Sequence, residues 1–132
     1  MLVDDLADLL GPSGWLADAS GHSRDWLDRY GTPPLGVARP ATTVEVSAVV
    51  ALCHAAGVAV VPQGGNTGLC GGAVAGEAGG VILSLSRMAQ IGPVDPDSAS
   101  VVVDAGVVLA DLHQRLEGSG LIFPMHLGAE GS

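Results

Sequence analysis

Twelve consecutive residues, "VPQGGNTGLCGG" from Val61 to Gly72, constrain the fold more tightly than any others in the chain. Five of them are glycine and none is charged. A short apolar run, "VAVV" (Val58–Val61), leads into the stretch, and "GVILSL" (Gly80–Leu85) follows it. A continuous apolar run of this length suits a strand buried on both faces, as in a parallel sheet. A glycine-rich loop at the end of such a strand lets successive backbone N–H groups point into one concavity and lets an anion approach closely. The competing reading is a tight turn that holds nothing, and glycine content alone does not choose between them.

The flanks alternate strand and helix signals. "LGVA", Leu35–Ala38, reads as a short strand, stopped by Pro40. Thr42 and Glu45 have capping-box spacing, with the hydroxyl capping an amide and the carboxylate reaching back. Val46, Val49, Val50 and Cys53 form a helical stripe, and Gly57 stands where a left-handed cap belongs. With strands over Val58–Val61 and Val81–Leu85, the order is strand, helix, strand, glycine loop, strand: an α/β start. Pro62 is expected to end the second strand and set the direction of the loop, and Gly71 and Gly72 to allow its return. Upstream, Leu2, Leu6, Leu9 and Leu10 mark a helix stopped by Gly11. The turn-rich residues up to Pro34 contain one expected helical turn, Arg24–Tyr30, and two packing anchors, Trp15 and Trp26. Downstream, residues 86–100 read as a connection and Val101–Val107 as a strand. Leu109, Leu112 and Leu116 then space a helix ending near Gly118, and Leu121–Pro124 reads as a last short strand.

Composition removes several functions. Net charge is −9, lysine is absent, and all five basic residues are arginine. A nucleic-acid partner, which needs a basic face, is excluded, and anionic membranes are disfavoured. Without lysine there is no Walker A loop, and no GxGxxG pattern occurs between Gly64 and Gly80. No apolar run reaches transmembrane length, and "MLVDDLADLL" carries acids where a signal peptide needs basic residues. Cys53 and Cys70 form neither a CxxC pair nor a metal spacing, which points to reduced thiols in the cytoplasm. His22, His54, His113 and His126 are far apart and lack ligand spacing, so no metal is expected. Asp95, Asp97, Asp104 and Asp111 show no pairing for acid–base work, and no catalytic residue is assigned. With 48% hydrophobic and 3% aromatic residues, the core must be aliphatic.

The whole string "VPQGGNTGLCGG" resembles the pyrophosphate loop of the FAD-linked oxidases of the vanillyl-alcohol-oxidase, or PCMH-type, superfamily. The resemblance is to the D-lactate, D-2-hydroxyglutarate and glycolate dehydrogenase branch. It extends to "ARPATTVEVSAVVALCHAAGVAVV" before the loop, and to "GGVILSLSRMAQI", "VVVDAGVVLADLHQRL" and "FPMHLGAEGS" after it. It implies an α+β fold, the N-terminal portion of a PCMH-type FAD-binding domain. A small parallel α/β subdomain would be followed from Ser100 by the start of a mixed or antiparallel sheet. Residues 1–34 would be an N-terminal helical and loop extension, and 35–132 a partial FAD-binding domain.

The cofactor implied is noncovalent FAD, since Cys70 falls inside the pyrophosphate loop. Carried over position by position, Pro62, Gly64, Gly65, Asn66, Thr67, Gly68 and Leu69 belong to the cofactor grip, and Gly128 and Ser132 to a second flavin-contacting segment. Amide dipoles hold a diphosphate without a cation, which suits an uncharged loop in an acidic chain. His126 stands where relatives often carry an acid. Arg87 is open to two readings, loop support or a surface salt bridge. The full-length parent would oxidise a small 2-hydroxy acid, with a second flavin segment and a substrate-holding cap domain expected beyond Ser132. The chain alone is then expected to be inactive and prone to self-association. The alternatives are a non-catalytic nucleotide- or partner-binding module and a phosphate-binding enzyme that shares the loop by convergence.

Overall fold

A computed structural model describes all 132 residues, Met1–Ser132. Helix α1 (Leu2–Gly14) leads into a short strand β1 (Trp15–Leu16) and a 3₁₀ turn at Ser20–His22. Strand β2 (Gly36–Ala38), helix α2 (Thr43–Ala55), strand β3 (Val60–Gln63) and strand β4 (Val81–Ser84) form the α/β part. Strands β5 (Ile91–Asp95) and β6 (Ser100–Val103) and helix α3 (Leu109–Leu116) complete the chain.

The first sheet has the order β1-β2-β4-β3. Strands β2, β4 and β3 are parallel, and β1 joins β2 antiparallel through Trp15 opposite Ala38. Alternation along the strands divides the core. Ala38, Val81 and Leu83 pack with Leu6, Leu10, Trp15, Val49 and Cys53 beneath α1 and α2. Val37 and Ile82 face the other way, onto Ala19 and Ala75. All three β2 residues and all four β4 residues are buried, so β2 and β4 are the strands covered on both faces. β3, for which that place was expected, is an edge strand with Val60 and Val61 only half-buried. It starts at Val60 and runs through Pro62 to Gln63. Pro62 therefore does not end the strand, and an edge tolerates its missing N–H.

Helix α2 is capped much as its sequence implies. The Thr42 hydroxyl accepts the Glu45 N–H at 3.2 Å. The Glu45 carboxylate reaches one residue further back than the usual box, accepting the Ala41 N–H at 2.6 Å. At the other end Gly57 has φ 66°, its N–H donates to the His54 carbonyl, and Val58 donates to the Cys53 carbonyl. That pair of bonds is a Schellman cap. In α1 the expected stop at Gly11 is a backbone break (φ 66°, ψ −177°), after which Pro12 starts one more turn through Gly14.

Four expectations fail for identifiable reasons. Arg24–Tyr30 is a tight non-helical turn, because the Asp25 carboxylate takes the Arg29 and Tyr30 N–H groups at 2.6 and 2.8 Å. Such side-chain bonds compete directly with a helix. Trp15 is buried in the core, whereas Trp26 is 67% exposed and anchors nothing. Residues Ile91–Asp95, read as a connection, form β5 opposite β6. Gly92 and Pro93 disguise this strand, and they lie where its register shifts between Ile91 and Val94. Leu121–Pro124 is not a strand; Leu121, Ile122 and Phe123 instead border an apolar cleft with Leu112 and Leu116 of α3.

Candidate functional site

The loop begins where β3 ends, on Gln63, whose side chain is buried at 2% exposure. Its amide nitrogen donates to the carbonyls of Ala73 (2.8 Å) and His22 (3.1 Å). Its carbonyl oxygen lies 2.5 Å from His22 Nδ1. Because that oxygen only accepts, the shared proton sits on His22 Nδ1. One side chain thus closes the neck of the loop, joining its start to its far end and to the 3₁₀ turn.

Asn66 is in the left-handed region at φ 54°, and its Nδ2 donates to the Arg24 carbonyl at 2.7 Å. Thr32 binds the far side, its N–H to the Ala75 carbonyl and its hydroxyl to that of Gly76. The N-terminal segment therefore holds the loop from behind. The Asp25 turn stiffens that segment. The Tyr30 N–H, with help from Arg29, holds the Asp25 carboxyl below the usual carboxylate range, against the opposing effect of burial.

In front of the loop lies a cleft of about 130 Å³, bordered by Gly64, Gly65, Ser86, Gly106, Val108 and Ser132. No charged side chain lines it. A Cβ on Gly65 would stand 2.7 Å from the Ser132 carbonyl carbon, so these residues touch. One on Gly106 would run into the Leu85 carbonyl, so glycine is required there by close packing. Gly64 and Gly68 differ: an added Cβ would meet nothing within 4 Å, and neither has a left-handed φ. The chain itself gives no reason for glycine at these two positions. Both positions are exposed. Asn66 Oδ1 is buried without a partner, an acceptor suited to a donor such as a hydroxyl. This lining fits a ligand held through backbone amides, as a diphosphate is, and it has no place for a cation-dependent grip.

Of the residues singled out from sequence, Gly64, Gly65 and Ser132 are brought together on the cleft. Asn66 and Thr67 are half-buried, and Gly68 and Leu69 lie on the exposed outer part of the loop. Pro62 is in β3, and Gly128 is in an exposed turn away from the lining. Gly71 has φ 75° and lies against the Tyr30 ring, as a return turn requires; Gly72 has no positive φ. Sequence reading did not place Ser86 or residues 105–108 on the site. Their signal was the "AGV" run just before α3, which brings Gly106 under the loop.

The remaining candidates separate clearly. Arg87 donates to the Arg39 carbonyl at 2.8 Å, tying the turn after β4 to the end of β2, and makes no salt bridge. Asp95 closes the β5–β6 turn, and hydrogen bonds from Ser98 and Asp97 lower its pKa. Asp104 accepts the Gln90 N–H. Cys53 is buried, which raises its pKa, and Cys70 is exposed; both are free thiols. His22 braces the loop and His54 is exposed at the end of α2. His113 and His126, which share no ligand spacing in the sequence, are stacked with ring centroids 4.7 Å apart beside Glu130. The chain reverses at Gly118 and Gly120, both with positive φ, and folds the distant segment back.

The chain has recognisable relatives among known proteins. The FAD binding domain family matches residues 34–132. D-2-hydroxyglutarate dehydrogenase of Xanthomonas citri pv. viticola is 42% identical over 118 residues, covering 88% of this chain and 24% of that protein. A putative mitochondrial D-lactate dehydrogenase of Schizosaccharomyces pombe is 39% identical over 131 residues, covering 99% of this chain and 24% of that protein. The structure of p-cresol methylhydroxylase superposes with a TM-score of 0.70 at 22% identity, over 91% of this chain and 24% of that one. The chain thus spans about a quarter of the length of these relatives. With its parallel β2-β4-β3 sheet, its glycine cleft free of charged side chains and these matches, the chain belongs to the FAD-binding domain family and has the fold of the N-terminal part of a PCMH-type FAD-binding domain.

Proposed function

We propose that the chain supplies the pyrophosphate grip of the FAD site in a flavin-dependent D-2-hydroxy acid dehydrogenase. The observation that carries this is the uncharged cleft at the carboxyl ends of parallel strands β3 and β4, with Gly64 and Gly68 opening onto free space. Ligands of open α/β sheets bind at such strand ends. In this reading the N–H groups of Gly64, Gly65, Thr67, Gly68 and Leu69 face the diphosphate. Pro62 presets the direction of the loop, Asn66 fixes its curvature through Arg24, and Ser132 with Gly128 closes the site from the second segment.

FAD, when bound, supplies the acceptor for the hydride from the hydroxyl-bearing carbon; the chain positions and shields it. No acid–base pair borders the cleft, so substrate handling falls to the rest of the full-length parent, and this chain alone is inactive. Noncovalent binding fits this reading: neither cysteine nor histidine lines the cleft. Residues 1–34 act as the brace of the 35–132 FAD-binding part. The two free thiols suit a reducing compartment, and we assign the cytoplasm; no helix is long and apolar enough to cross a membrane.

The test is an amide-resolved ¹⁵N–¹H titration of the chain with FAD. Saturable shifts are expected at Gly64, Gly65, Gly68 and Ser132. Saturating FAD that leaves these amides unmoved overturns the assignment. Dye reduction by the full-length parent with D-2-hydroxyglutarate, D-lactate and glycolate then tests the substrate class; no turnover of any of them refutes it.

A further inference from the structure

We propose that His113, His126 and Glu130 form a binding site for one borderline divalent cation, Zn²⁺ being the best match, outside the FAD cleft. His126 Nδ1 lies 3.3 Å from Glu130 Oε2, and His113 Nε2 lies 3.7 Å from the same oxygen. The Met125 carbonyl stands 2.9 Å from His113 Nε2 and offers a fourth donor. All three side-chain donor atoms fall within 4.8 Å of one another. Bonds of about 2.0–2.2 Å in a tetrahedral site put donors about 3.4 Å apart, and the two separations to Glu130, 3.3 and 3.7 Å, bracket that value.

Two imidazoles, a carboxylate and a carbonyl are the donor set of a borderline ion, not of Mg²⁺ or Ca²⁺. The rings are now parallel to within 7°, so their lone pairs do not yet converge. Rotation of the exposed His126 ring brings them together. His113 must also move its Nε2 proton to Nδ1, releasing its bond to Met125. The other groups are already held. His113 sits on α3, and the Glu130 carbonyl accepts the Ala110 N–H at 2.8 Å. An open cavity of about 450 Å³ beside His113 and His126 admits the ion and a water. The cation would clasp residues 125–130 to α3 and so steady Ser132 beside Gly65.

Calorimetric titration of the chain with ZnCl₂ tests this, read together with Co²⁺ absorption as a reporter of coordination. Wild type is expected to bind one equivalent, with the visible bands of four-coordinate Co²⁺. His126→Asn, at an exposed position that does not threaten the fold, is expected to weaken binding at least about tenfold, the scale on which even outer-shell partners act. His113→Asn and Glu130→Gln should do the same, and His54→Asn, on a remote helix, should not. Equal Zn²⁺ affinity in wild type and His126→Asn, or an equal loss in His54→Asn, overturns the site.

Discussion

Gly64→Ala separates ligand space from internal packing. An added Cβ there meets nothing within 4 Å, and the backbone is outside the left-handed region. Replacing glycine by alanine at a compatible position stabilises by about 0.4–1 kcal/mol, through reduced freedom of the unfolded chain. For a domain of this length that is roughly 1–4 °C in Tm. The same methyl stands over the N–H groups assigned to the diphosphate. Losing one charge-assisted bond of about 1.5–3 kcal/mol weakens FAD roughly 10- to 150-fold. The expected result is thus a protein more stable and worse at binding, a combination that a damaged fold cannot give. Thermal unfolding by circular dichroism reads the first quantity and flavin fluorescence titration the second. A fall in Tm of several degrees would mean that Gly64 has an internal role. Unchanged FAD affinity with a raised Tm would remove Gly64 from the grip. Gly65 is the less clean choice, because a side chain there strikes Ser132 before it reaches any ligand.

Gln63→Ala removes the neck of the loop and leaves the Ala73 and His22 carbonyls without their donor. It should cost about 2–4 kcal/mol in chemical denaturation and speed amide exchange across residues 64–72. Asp25 has a folded pKa below its ordinary value, so its stabilisation is complete above about pH 4 and is lost as pH falls through the folded pKa. Asp25→Asn should be less stable than wild type at neutral pH, with the gap narrowing in acid; a gap that is constant from pH 7 to 2 contradicts this. Val102, Ile122, Met125 and Leu127 are exposed at 82%, 84%, 49% and 57%. The chain should therefore self-associate with rising concentration in sedimentation velocity, and Ile122→Ser should reduce it.

The parallel unit was legible because each signal had one physical meaning. The Thr42–Glu45 spacing and Gly57 bounded α2, and the apolar runs marked strands on either side of the loop. Which strand is central was not legible. Val58–Val61 and Val81–Leu85 are equally apolar, and only pairing shows that β4 lies between β2 and β3. β5 was hidden because Gly92 and Pro93 oppose strand formation locally, and its pairing with β6 outweighs them. The loop's glycines were legible as a group but not individually. Gly65 packs against Ser132 and Gly71 against Tyr30, whereas Gly64, Gly68 and Gly72 meet no internal contact that requires glycine. The contact of His113 with His126 depends on a chain reversal near Gly118 that no spacing rule encodes.

An acidic chain without lysine binds a diphosphate only if its amides are oriented before the ligand arrives. Flexible glycines alone do not achieve that, since their freedom must be given up on binding. Here the orientation comes from outside the loop. Gln63 fixes its ends, Asn66 hangs from the Arg24 carbonyl, and Asp25 gathers the backbone that presents that carbonyl. Each partner lies in residues 20–32 or in the neck of the loop, and none lies in the cleft. In the proposed grip the N-terminal segment would do what a lysine does elsewhere, by immobilising dipoles instead of adding charge. It follows that removing residues 1–30 should abolish the grip even with every loop residue intact. Since Leu6, Leu10 and Trp15 belong to the main core, point changes such as Asn66→Ala are the informative form of that experiment.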